Sequence, residues 1–307
     1  MRNQPRNNHY VPDFLLKQWI GVGNKITYFE WLPTGALNTG RCGSRGAGFQ
    51  RDLYSQVNPS GDVDTSLERE LFTKLVDEPS APVHVRLLDG QLGKLSEEER
   101  SHWSRFLVAQ MVRVPSMVQY LCDAGRQMML RDVKDTEPPE EIKAQLEGTT
   151  LEQYLKTDAA WQLDNASKRA LEIIIQSQLL NDVFLKAHWA VHPITASNIN
   201  FVIGDRPLLL EGRMTDLFLF ALPLSPTQLF LASNDRMAIC HMAAENQRDL
   251  VRTVNRESAE VADKYIYATD GRQAALAERH LRKFDEPDDR HLVSGLRAVL
   301  GADRLAQ

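Results

Sequence analysis

The sequence predicts an α+β fold: a largely helical body with a small, mostly antiparallel sheet supplied by the C-terminal half. Three observations carry this expectation. Apolar residues at helical spacing dominate residues 64–186. Within that stretch, residues 167–186 are hydrophobic on nearly every side, as in a helix at the centre of a core. From Trp189 onward the pattern changes to short apolar or alternating runs separated by turn residues, which is how strands read. With 307 residues, 43% hydrophobic and 25% charged, the chain has the composition to bury a substantial core. The expected organisation is one globular domain over 1–270 and a charged, peripheral segment over 271–307.

Charge and cysteine content narrow the function classes. A net charge of −5 argues against a protein that coats nucleic acid non-specifically, while leaving room for a local basic groove. Cys42, Cys122 and Cys240 are odd in number and far apart, so neither a disulfide framework nor a paired-cysteine zinc site is signalled. The first ten residues hold no apolar signal core, and no run of eighteen apolar residues occurs. A cytoplasmic location without membrane attachment is the expectation.

Taken in order, the chain opens on Asn8-His9-Tyr10-Val11-Pro12 against an apolar run, Phe14, Leu15, Leu16 and Trp19. Pro12 fixes its own φ and biases Val11 toward extended geometry, so residues 8–11 enter as a strand-like arm that delivers His9 to the start of a short buried helix. Residues 25–31 and 36–38 form a hairpin about Pro33-Thr34-Gly35. Residues 40–48 hold four glycines and two arginines, a composition that suits a phosphate cradle. No helix follows them, however, and the surface-loop reading is preferred. Residues 64–76 read as a helix capped by Asp64 or Thr65 and carrying Glu68 and Glu70. Pro79 and Pro82 break the pattern before a second apolar run over 83–88.

Ser96 and Glu99 form a capping box that starts the most informative helix. Trp103, Phe106, Leu107, Gln110 and Val114 recur at one-face spacing, which places Gln110 inside the apolar stripe and Arg113 on its border. A buried arginine needs an anionic partner, because an unpaired charge there costs several kcal/mol. Pro115 ends this helix and residues 117–130 form another, followed by an exposed connection over 132–147. His188 and His192 have the spacing of a helical metal pair, which Pro193 and the strand-like surroundings weaken. Strands are expected over 200–203, 207–210, 217–222 and 228–232, with Asp205 at a strand-ending turn. A helix over 243–262 carries Asn255, and residues 265–268 close the sheet.

These boxes carry a resemblance. The stretch Asn8 to Pro12, then Asp52-Leu53-Tyr54, the glutamate helix, Gln110-Met111-Val112-Arg113-Val114-Pro115, and Phe201 through Pro207 resemble, in this order, the bacterial domain-of-unknown-function family numbered 4238. Pro223-Leu224-Ser225-Pro226 and Asn255 with Ala262, Tyr265 and Ile266 extend the likeness over about residues 7–268. Gly204 and Arg206 depart from it, since relatives carry Ser or Thr before the Asp and Asn after it. If that hydroxyl serves a ligand, this member binds a different ligand or binds it less well.

The resemblance implies candidate positions, not a reaction. His9, Glu68, Glu70, Gln110, Arg113 and Asp205 are the candidate catalytic residues, and Asn8, Tyr10 and Asn255 the candidate ligand-binding residues. They are expected to converge in one cleft, with Arg113 paired to Asp205 or a glutamate. One functional expectation is a nuclease-like hydrolase of phosphodiesters, acting on nucleic acid or a nucleotide. In it His9 is base or acid, Arg113 stabilises the developing anion, and the carboxylates orient His9 or hold a divalent metal ion. The other is a non-enzymatic ligand sensor or interaction module, serving bacterial defence or a mobile element, whose polar residues form a network that grips the N-terminal arm.

Overall fold

The computed structural model describes residues 6–283 apart from 59, 135, 139, 144, 145 and 147. Its N-terminal part is the expected arm. Strand β1 (Asn7–His9) leads into α1 (Asp13–Leu16) and a 3-10 turn, Lys17–Trp19, after which β2 (Ile26–Trp31) and β3 (Leu37–Cys42) form the hairpin and β4 (Phe49–Arg51) returns to the arm. β1 pairs antiparallel with β4, Asn8 opposite Gln50 and His9 opposite Phe49. Val11, Leu15, Leu16 and Trp19 are fully buried, and the Trp19 indole N–H donates to the Phe201 carbonyl at 2.9 Å. The apolar content of the arm thus explains why it is held. The glycine-rich stretch is less of a loop than expected, because Gly40–Cys42 belong to β3 and Ser44–Gly46 form a 3-10 turn.

Short strands β5 (Gln56–Val57) and β6 (Val63–Asp64) precede a π-helix, Leu67–Asp77, that passes directly into α2 (Glu78–Leu88). Leu67, Leu71, Phe72 and Val76 are its buried residues, recurring every four to five positions as the wider π turn requires. The expected break at Pro79–Pro82 does not occur. Pro79 falls at the junction where the π-helix becomes α2, and Pro82 is carried inside the helix one turn later.

Helix α3 (Glu97–Val112) starts at the capping box as expected, and every residue from Phe106 to Val112 is buried. Pro115 opens α4 (Pro115–Val133) as its first residue, with Val114 extended before it. Then come α5 (Glu140–Lys143), α6 (Leu151–Thr157) capped by Thr150, α7 (Ala160–Ile175) and α8 (Gln178–Leu185). The last two replace the single central helix expected over 167–186. Ser177 caps α8, and the Asn181 amide donates to the Ile175 and Ser177 carbonyls at 3.0 and 2.8 Å, which stabilises the break. Ile173 and Leu179 are exposed at 73% and 56%, so the apolar run is not buried all round and the central helix is α3.

Strands β7 (His188–Pro193), β8 (Ile203–Gly204), β9 (Leu209–Gly212), β10 (Phe218–Ser225) and β11 (Gln228–Ser233) precede α9 (Arg236–Ala244), α10 (Gln247–Val261), β12 (Ile266–Ala268) and α11 (Ala274–His280). One antiparallel sheet has the order β7-β11-β10-β9. All of β10 is buried because both faces are covered: Phe218, Phe220 and Leu222 join the main core with α3, while Leu219 and Ala221 join a second core with α10. The second four-stranded sheet, β3-β2-β12-β8, sews the N-terminal hairpin to the C-terminal part of the fold. The class is α+β, and these sheets are antiparallel in every pairing. His188 and His192 lie on a strand, so their spacing is not that of a helical metal pair. Ala277 and Leu281 are buried against Phe29 and Val202, so the start of the charged C-terminal segment is part of the packed body; residues 284–307 lie outside the described residues. No helix among the described residues is long and apolar enough to cross a membrane.

One backbone position ties the arm to the residue before β4. The Gly48 carbonyl accepts the N–H groups of Tyr10 and Val11 at 2.8 and 3.1 Å, with Gly48 at φ +61°. A Cβ there would meet Val11 Cβ at 2.8 Å and Leu16 Cδ1 at 2.9 Å. Gly48→Ala is therefore expected to lower unfolding free energy by about 2–4 kcal/mol in urea titration, from left-handed strain plus the clash. Gly35→Ala, at φ +80° in open space, should lose only the strain, about 1 kcal/mol.

Candidate functional site

Arg113, at the C-terminal end of α3, is the hub of a buried polar clasp. Its side chain is fully buried, and its guanidinium donates to Asp77 Oδ1 at 2.7 Å, Asp77 Oδ2 at 3.0 Å and the His9 carbonyl at 2.7 Å. The Phe72 ring lies 5.0 Å from its central carbon. Because α3 stops here, the Arg113 carbonyl is released, and the Tyr54 hydroxyl donates to it at 2.5 Å. The Tyr54 amide in turn donates to Asn8 Oδ1 at 3.1 Å. Burial works against the Arg113 charge, but Asp77 outweighs it and holds the guanidinium above its ordinary value. The expected pairing with Asp205 or a glutamate is corrected: the partner is Asp77, at the end of the π-helix.

His9 and Glu68 flank this clasp. The His9 ring packs on Phe49 with centroids 5.8 Å apart, and Nε2 lies 3.3 Å from the Arg45 carbonyl. Burial, with a smaller contribution from Arg113, lowers its pKa against the opposing Arg45 contact, which favours the neutral ring at pH 7. Burial pushes Glu68 up to about 7; Arg113 opposes this and Asp77 adds to it, while the His9 amide donates to the carboxylate. Glu68 Oε2 is shielded from solvent without a hydrogen-bond partner, and so are both polar atoms of the buried Gln110. Glu70 points to solvent between Arg69 and Lys74 and takes no part.

Asp205 belongs to a different neighbourhood. Its carboxylate is buried and accepts the backbone N–H groups of Asp263, Lys264 and Tyr265, each at 2.8 Å. Burial and the nearby Asp263 charge push it up to about 7 against those three donors. Asp205 thereby shapes one wall of a cleft of about 580 Å³. Tyr10 from the arm, Phe49 and Gln50 from β4, Ser116 and Gln119 from α4, and the 263–265 segment form the rest. The Tyr10 and Tyr267 hydroxyls are hydrogen-bonded, and the Gly48 N–H donates to Tyr267 at 3.1 Å. Asn255 is engaged elsewhere: its amide accepts from Val202 N and donates to the Asn200 carbonyl, both at 2.9 Å, and so pins the segment before β8.

The candidate residues therefore do not share one cleft. Asn8, His9, Glu68 and Arg113 gather at the clasp, Tyr10 and Asp205 at the cleft, Gln110 is buried in α3 with its amide unpartnered, Asn255 anchors a loop, and Glu70 is on the surface. Asp77, Tyr54, Asp263, Ser116 and Tyr267 are the contributors that sequence reasoning did not single out. Among the described residues no group of three or more His, Cys, Asp or Glu side chains is placed to hold a metal ion.

Two outcomes check the clasp. Arg113→Ala is expected to cost roughly 3–5 kcal/mol in chemical denaturation, whereas His9→Ala, which leaves the carbonyl in place, should cost about 1 kcal/mol. Glu68 has a folded pKa above its unfolded value, so its favourable contribution is complete below about pH 4.5 and is lost as pH rises through about 7. Stability measured from pH 4 to 8 should fall less steeply over this window in Glu68→Gln than in the wild type; equal slopes would refute the assignment.

Comparison with curated proteins and with solved structures gives no match. Residues 7–272, which include both the clasp and the cleft, match the family model described as "Protein of unknown function (DUF4238)", and the chain belongs to that family.

Proposed function

We propose that the protein is a ligand-binding module whose binding site is the cleft between the arm, β4, the start of α4 and the segment before β12. One observation carries this reading: residues from five separated stretches, Tyr10, Gln50, Ser116, Asp205 and Tyr265 among them, line a single cavity of about 580 Å³, the size of a small-molecule site. The clasp supports it as a scaffold. Arg113 has Asp77 and the His9 carbonyl as partners, and Asp205 holds three backbone N–H groups, so neither is aimed at space that reacting atoms would occupy.

A small-molecule screen by thermal shift tests the reading. A ligand at a hundredfold excess over its Kd stabilises by about 2.7 kcal/mol, enough for a clear rise in Tm. Gln119 is exposed on the cleft rim, and Gln119→Trp is expected to abolish the rise while leaving the unliganded Tm unchanged. Equal stabilisation of this variant by every hit would place binding elsewhere and overturn the reading.

Phosphodiester hydrolysis is the second reading, and Glu68 favours it. A carboxyl group pushed up to about 7, with one oxygen unpartnered, has the properties of a general acid, and the neutral His9 ring those of a base. Incubation with labelled single- and double-stranded RNA and DNA, with magnesium, manganese or chelator, tests it. Cleavage that is lost in both His9→Ala and Glu68→Gln, with each variant still folded and melting cooperatively, would support hydrolysis. Cleavage that persists in both variants would remove these residues from the chemistry.

A further inference from the structure

The cleft has a chemical character beyond its size. Its aromatic side chains are Tyr10, Phe49 and Tyr265; its carboxylates are Asp205 and Asp263; and Lys264 is the cation among its lining residues. That ammonium is turned toward Glu30, with Nζ 3.4 Å from Oε2, and lies 4.9 Å from the centroid of the Tyr265 ring. Tyr265 therefore already accepts a positive charge, one supplied by the protein itself. Asp263 is paired at the same separation as Lys264: Oδ1 lies 3.4 Å from Arg206 Nε, and Oδ2 accepts from Ser116 N at 3.4 Å. Counting Glu30 and Arg206, the partners of Lys264 and Asp263, the acidic side chains in this neighbourhood outnumber the basic ones three to two. Gln50 and Gln119 add neutral amides.

Aromatic faces carry a negative quadrupole, and a carboxylate beside them completes the usual recognition of an ammonium or guanidinium group. A phosphate entering the same cleft would meet the Asp263 carboxylate, and the lining ammonium is turned toward Glu30. On the reading that this cleft is the ligand site, we infer that its ligand is a small organic cation, an ammonium or guanidinium compound with an apolar flank. The charged head lies against Asp263 and an aromatic face, and the apolar part along the remaining rings and Pro115.

Thermal-shift titrations of the full chain with three probes test this: phenethylamine, its neutral counterpart phenethyl alcohol, and adenosine monophosphate. The amine is expected to give saturable stabilisation, the alcohol to bind roughly tenfold more weakly, and the nucleotide to give none. Gln119→Lys, which adds a positive charge at the exposed rim without touching a buried group, should weaken amine binding at least about fivefold, and Asp263→Asn should do the same. Asp89→Asn, a surface carboxylate away from the cleft, should have no effect. Alcohol or nucleotide binding as tight as the amine, if sensitive to Gln119→Trp, would overturn the cation assignment and leave the cleft as the binding site. Amine binding indifferent to both Gln119→Lys and Asp263→Asn would also overturn the assignment. No stabilisation by any of the three would count against the cation and the cleft together.

Discussion

A guanidinium with no solvent contact sits at the centre of this fold, and the elements around it are arranged to keep it charged. Burying Arg113 alone would cost several kcal/mol, and only a carboxylate and a carbonyl at short range offset that cost. The carboxylate is Asp77, where the π-helix turns into α2, and the carbonyl is that of His9 in the arm. One side chain thereby fixes the arm, the π-helix and the end of α3 relative to one another. Pro115 is part of the same device. It holds Val114 extended, ends α3 at Val112 with Arg113 as the capping residue, and frees the Arg113 carbonyl for the Tyr54 hydroxyl. Tyr54 then returns to the arm through Asn8.

The same physical need recurs wherever irregular backbone is buried. Main-chain N–H and C=O groups out of reach of water must find partners, and here asparagine and aspartate side chains supply them. Asn8 serves Tyr54, Asn255 serves residues 200 and 202, and Asp205 serves three consecutive amides. Asn165 acts as an extra strand for β5, its amide bonding both the N–H and the C=O of Val57. Polar residues embedded in apolar boxes are what sequence reasoning takes for catalytic candidates, and several of them here are holdfasts of the backbone.

Local physics made part of this legible. The capping box of α3, the extended arm and the inward position of Gln110 and Arg113 follow from spacing within one element, and the structure has all three. Long-range pairings did not follow. Asp77 lies one residue beyond the expected end of its helix and carries no local sign of its partner 36 residues away. Glu68 and Glu70 are indistinguishable by composition, yet two positions of helical rotation turn one toward Arg113 and the other to solvent. The run over 167–186 misled because composition does not show continuity, and one serine with a following asparagine suffices to end a helix. Asp263 and Ser116 went unmarked because an Asp before Lys and a Ser after Pro are ordinary loop and helix-start residues. Only the fold sets them across from each other.

The arm relates the two sites to each other. Its extended geometry sends successive side chains in different directions: Asn8 to the Tyr54 amide, the His9 ring to the Arg45 carbonyl, and the Tyr10 hydroxyl to Tyr267. Arg113 grips this same segment through the His9 carbonyl, one peptide unit from the residue that walls the cleft. A buried clasp centred on the Arg113–Asp77 pair therefore sets the position of a cleft wall that it does not itself line. Coupling through so short and buried a segment runs both ways: an occupant that requires Tyr10 in place stabilises the docked arm, and a loosened clasp weakens the occupant by the same free energy.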